Sequence, residues 1–102
     1  MLTNFLKTKC TIQTKEATRD HLGENITWKD GNTLWCRKVS VDVKTRTAYM
    51  QLNTDVTDKF IFRGKVALNI GSHRIKIEDV IYELVESAQF IEGVTVVLTR
   101  RL

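Results

Sequence analysis

The chain has 102 residues, 42% hydrophobic and 27% charged, with no proline and a formal net charge of +4. That length holds one domain, residues 1–102, and a single core. The balance of apolar and charged residues excludes wholesale disorder, and no apolar run approaches the ~20 residues that a membrane-spanning helix needs. No signal-peptide hydrophobic region opens the chain, so synthesis in a reducing cytoplasm is expected.

In chain order, residues 8–17 set Cys10 and Ile12 against Lys9, Thr11 and Gln13, the period-two pattern of a half-buried strand. Residues 18–25 carry turn chemistry: Asp20 can accept backbone N–H bonds, and Gly23 can take a positive φ. Ile26 and Trp28 alternate again, and the Asp30-Gly31 step predicts a hairpin. A long strand over 33–43 then carries Trp35, Val39, Val41 and Val43 on one face, with Leu34 and Cys36 on the other. Both tryptophans fall within eight positions, and as the largest apolar side chains they are expected to close the core with Ile12, Val39, Ile75 and Leu98.

The polar segment 44–58 lacks strand alternation and suits a long loop, or one or two helical turns with Tyr49, Leu52 and Val56 on a side. Connections of this length inside a small domain are often functional. Strands resume at 59–63 and 73–77, with bends at Gly64 and Gly71 between them. Residues 78–90 pose a conflict. Val80, Ile81, Leu84, Val85 and Ala88 form a helical stripe, yet 81–85 is rich in strand-forming residues. A hairpin through Glu92-Gly93 leads to a last strand over 94–100.

No nucleophile elbow, phosphate loop or dinucleotide fingerprint occurs, so no catalytic residue and no cofactor are assigned. Cys10 and Cys36 lack metal-ligand spacing, His21 and His73 are isolated, and no metal site is expected. The cysteines read as small buried hydrophobes that could face each other as thiols. Charge is uneven: residues 1–77 hold 14 basic and 7 acidic side chains, +7, and residues 78–102 hold 2 and 5, −3. That split fits a surface near DNA, subunits that meet basic face to acidic face, or a solvated mixed surface.

Asp20, Gly23, Glu24, Trp28 and Trp35, in that order and spacing, resemble the signature of the phage head–tail joining family, the head-completion or stopper proteins of tailed bacteriophages. Thr11-Ile12-Gln13 resembles its first strand. Phe60-Ile61-Phe62-Arg63, Ile81-Tyr82-Glu83-Leu84 and Val94-Thr95-Val96-Val97-Leu98 resemble its later ones. The resemblance implies an all-β fold, a small antiparallel barrel or sandwich of about six strands, and it favours a strand over 80–87. It further implies a non-enzymatic structural protein of the virion neck, bound as a ring of roughly twelve copies below the portal and adaptor. Such a ring retains packaged double-stranded DNA and offers a surface to tail-completion or tail-tube proteins, without contact with a membrane. The connection over 42–58 would then face the channel, with Lys44 and Arg46 towards DNA phosphate and Tyr49, Met50 and Leu52 towards neighbouring copies. Two other readings stand beside it: a related tail-completion protein, or an OB-like barrel that binds nucleic acid through Phe60, Phe62, Arg63 and Tyr82.

Overall fold

The computed structural model describes residues 7–20 and 23–102, with the side chains of Thr18 and Asp20 left aside. Among the described residues, seven antiparallel strands, β1 (Thr8–Asp20), β2 (Gly23–Ser40), β3 (Asp58–Arg63), β4 (His73–Ile77), β5 (Val80–Leu84), β6 (Gln89–Ile91) and β7 (Val94–Arg101), accompany one helix, α1 (Val43–Met50). They pair in the order β3-β2-β1-β4-β5-β7-β6, and β7 also pairs with β3. Six strands thus make a closed circuit of hydrogen bonds, which leaves few unpaired edges in the body. The all-β expectation of about six strands with a short helix in the connection matches this arrangement, except that β2 ends at Ser40 and Val43, expected on the strand over 33–43, opens α1.

Alternation decides which side chains enter the interior. Cys10 and Ile12 on β1, Cys36 on β2, Phe60 and Phe62 on β3, Ile75 on β4, Tyr82 and Leu84 on β5 and Val97 on β7 are all buried, with Leu68 closing one end. Phe60 stacks on Phe62 with ring centroids 6.5 Å apart and meets the edge of Tyr82 at 5.0 Å. The buried hydroxyls are satisfied: Thr95 Oγ1 donates to Gly64 O at 2.6 Å, and Thr99 Oγ1 donates to Asp58 O at 3.0 Å. Cys10 and Cys36 are both buried free thiols. Their mutual hydrogen bond, then burial, pushes the Cys10 thiol far above its ordinary range.

Phe60, Phe62 and Tyr82 are therefore core residues, and the exposed aromatic platform that the OB-like reading required of them does not exist. The conflict over 78–90 resolves against helix: β5 spans Val80–Leu84, so the strand expected over 80–87 ends three residues early and 85–88 is irregular before β6. Tyr82 and Leu84 point inward from β5 between β4 and β7, a pairing worth more than the local helical stripe. The Glu92-Gly93 hairpin forms, with both residues at positive φ (49° and 84°).

The Asp30-Gly31 hairpin is a correction. The chain reverses between Asp20 and Gly23, where Gly23 takes φ 127°, and β2 runs unbroken through Gly31. The register shifts there: Thr11 pairs with Thr33 while Gln13 pairs with Asp30, so Gly31 and Asn32 form a bulge opposite Ile12. A Cβ at Gly31 would lie 3.0 Å from Ile12 O, so the bulge admits only glycine without displacement. Asp30 does no turn work, because its carboxylate accepts a 2.6 Å bond from Gln13 Nε2.

Candidate functional site

Two surfaces stand apart from the packed body. The first is the excursion between β2 and β3. Its base is clasped: Val41 N donates to Thr57 O, Thr57 N donates to Thr99 O, and Val56 is buried. Beyond that clasp, Asp42 caps α1 by accepting from Thr45 N at 2.7 Å, the bond that holds its carboxyl below the usual carboxylate range. The Tyr49 carbonyl accepts from Leu52 N and Thr54 N to close the helix, and Arg46 reaches Asp55 at 3.3 Å.

No side chain of α1 is buried. Tyr49 is half-buried, whereas Met50 and Leu52 are 60% and 73% exposed. Lys44 and Arg46 are exposed on the same excursion. A helix without a core-facing stripe gains little from packing and depends on its caps and end contacts. Of the loop residues singled out from sequence, Lys44, Arg46, Met50 and Leu52 are thus presented to solvent together, and only Tyr49 has partial cover.

The second surface was missed in the sequence reading, which assigned both tryptophans to the core. Trp35 is 56% exposed and Trp28 only half-buried, so neither is a core residue. The reason is register. Leu34 and Cys36 take the inward parity on β2, which sends Trp35 outward with Val39, while Leu98 is likewise only half-buried. Trp28 and Trp35 are an odd number of positions apart and would occupy opposite faces of a regular strand. The extra residue of the Gly31 bulge corrects the count and puts both outward.

On that face Lys9 pairs directly with Trp35 and Lys15 with Trp28. The Arg74 guanidinium lies 4.3 Å from the Trp28 ring centroid, and Arg74 Nε donates to Gln13 Oε1 at 2.6 Å. The chain Asp30–Gln13–Arg74–Trp28 fixes these side chains in place. The signal available in the sequence was Cys36, since its burial between Leu34 and Phe62 would have fixed the parity. Of the predicted turn residues, Gly23 sits at the reversal, Gly31 in the bulge, and the side chain of Asp20 lies outside the described residues, as does His21.

A groove of about 430 Å³ opens between the bulge (Gly31, Asn32, Leu34) and the segment 65–67. Its ionisable lining side chains are Lys65 and His73, and His73 Nδ1 accepts from Asn69 N.

Among curated proteins none matches the chain. The solution structure of protein SF1141 from Shigella flexneri 2a, a structural-genomics target, is similar, with a TM-score of 0.79 and 26% identity over 98% of this chain and 96% of that one. The family described as phage head completion protein matches residues 1–94. That match takes in the reversal, both tryptophans, the bulge, the helical excursion and the first six strands, so it covers the architecture built up above. The chain belongs to the phage head completion family, a structural family of the virion.

Proposed function

We propose that this head-completion protein binds below the portal and adaptor as a ring, retains packaged DNA and offers the tail its attachment surface. The observation that carries the reading is the excursion 42–55: clasped at its base, capped by Asp42, and bare of buried side chains. In a ring, Lys44 and Arg46 would meet DNA phosphate while Met50 and Leu52 pack on neighbouring copies. Exposed apolar side chains on a pinned, weakly packed element are the form expected of a segment whose packing is completed by assembly.

Deletion of residues 45–54 tests it. The expected particles still join the neck but lose packaged DNA, measured as genome content after head completion. Particles that keep their genomes and infect normally would leave the excursion as a connection only. Cryo-EM of whole particles locates the chain along the neck axis, and density at the tail end alone would favour the tail-completion reading.

A further inference from the structure

β7 reverses the usual division of a barrel strand. Its buried positions are Thr95, Val97 and Thr99, and the two hydroxyls need their bonds to Gly64 O and Asp58 O. Val94, Val96 and Leu98 point outward and are only half-buried. Pairing carries this outward set across two neighbouring strands. Arg37, Ile61 and Val96 form one row over β2, β3 and β7, and Val39, Lys59 and Leu98 form the next. Trp35 stands one position beyond the Cys36–Phe62 pair, level with Arg63, and has Lys9 opposite it on β1. Among the described residues these rows hold apolar side chains and the cations Lys9, Arg37, Lys59 and Arg63, with no carboxylate. The acids around the face stand outside the rows. Asp30 lies beyond the Gly31 bulge with its carboxylate on Gln13, Asp42 caps α1, and Glu83 is held by Arg100. Glu78 sits in the β4–β5 turn, and Glu86 and Glu92 flank β6.

We propose that this face of β2, β3 and β7 seats an amphipathic helix of a different protein, its apolar stripe bordered by Asp or Glu. A sheet with apolar side chains on both faces is one that is covered on both. Along these rows each strand already has its neighbours in the circuit, so a partner strand finds no edge and the cover must pack on side chains. Three strands at ~4.8 Å spacing are about 10 Å across, the width of one helix with its side chains. The cations inside the face select carboxylates along the borders of the stripe. Trp35 between Lys9 and Arg63 has the composition of an interface anchor. A second copy of this chain does not fit. The one helix among its described residues, α1, carries Lys44 and Arg46 and no acid, and two copies of the face would set cation against cation. Nucleic acid would engage the cations through phosphate and leave Ile61, Val94, Val96 and Leu98 uncovered.

The proposal rests on membership of a virion structural family and not on the ring. Photo-crosslinking in assembled particles tests it, with p-benzoylphenylalanine in place of Trp35 and, as a control off the face, in place of Lys76 on β4. Irradiation should join position 35, and not position 76, to a helix of another virion protein whose apolar positions are flanked by Asp or Glu. A chain carrying both Lys9→Glu and Arg63→Glu should melt at an unchanged midpoint yet enter particles about tenfold less. Reversing the flanking acids of the mapped helix to Lys should restore its entry.

A cross-link from position 35 to another copy of this chain, to DNA, or to a segment without flanking acids overturns the proposal. So does the absence of any cross-link, or normal entry of the double variant. If the double variant melts early, the cross-link decides alone. A neck ring in which position 35 meets only the neighbouring copy removes the helix partner and leaves the ring reading standing. A chain found outside any ring, yet joined at position 35 to an acid-flanked helix, does the reverse.

Discussion

At the scale of single residues, burial separates the aromatics into two classes that mutation should distinguish. Phe62 is 1% exposed in the core, so Phe62→Ala should cost about 3–5 kcal/mol through lost transfer energy and the cavity left behind. Trp35, larger but outward-facing, should cost less than about 1 kcal/mol as alanine, in the range of surface substitutions. Urea unfolding of both variants checks the contrast, and equal losses would put the Trp35 indole back in the core. Gly31 is the more demanding position. Gly31→Val places side-chain atoms against Ile12 O, and either straightening the bulge or shifting β1 would follow. Because the bulge sets the parity of the ribbon beyond it, the Arg74–Trp28 contact should be lost along with stability, seen as a changed Trp28 ring environment by NMR. The two thiols give a further check. Both are buried, so neither should react with a thiol reagent until the protein unfolds.

At the scale of elements, packing is uneven. β4 pairs with β1 only over residues 11–14, and β3 pairs with β2 only over residues 36–40. The far part of the β1–β2 hairpin, from Lys15 and up to Lys29, is a ribbon of two strands with mostly exposed side chains. Two-stranded ribbons are marginal in water. The Lys15 amide is still tied to the body through Ser72 O, so amides of residues 16–17 and 24–27 should exchange with solvent orders of magnitude faster than those of β3 and β7, and uniform protection would contradict that gradient. Helix α1 depends instead on its cap. The Asp42 carboxyl is depressed by its bond to Thr45, so the stabilisation it lends is present above the ordinary carboxylate range. It should be lost as pH falls through the lower, folded value. Following the Thr45 amide by NMR during acidification should show α1 fraying while β3 and β7 stay intact.

At the scale of the whole molecule, closure of the circuit ties first and last strands into one unit. β7, at the C-terminal end of the described chain, pairs with β3, β5 and β6 and contributes Thr95, Val97 and Thr99 to the interior. Truncation before Val94 should thus remove the fold rather than trim it, since β3, β5 and β6 would all lose a partner. Far-UV circular dichroism of such a truncation should show no cooperative melting. Closure also leaves the least-packed segments at the margins: the α1 excursion and the β1–β2 ribbon. Loops and edges that contribute least to the core are free to be shaped by partners.

The sequence by itself determined what depends on local pattern. Alternation in Lys59–Phe60–Ile61–Phe62 required one set to face inward, the Glu92-Gly93 pair specified a hairpin, and the polar run 44–58 broke the strand pattern where α1 forms. It also carried the family, through the spacing of Gly23, Trp28 and Trp35. Tertiary structure decided whatever depends on register. A strand has two faces and a period of two, so one bulge at Gly31 reverses the assignment of every side chain beyond it. Residues 78–90 had balanced local preferences, and pairing with β4 and β7 made Val80–Leu84 strand. The tryptophan face was misassigned for the same reason, although a buried Cys36 would have fixed the parity of Trp35. Residue type favours burial of an indole, but cross-strand pairing sets its direction, and pairing is a property of two distant segments.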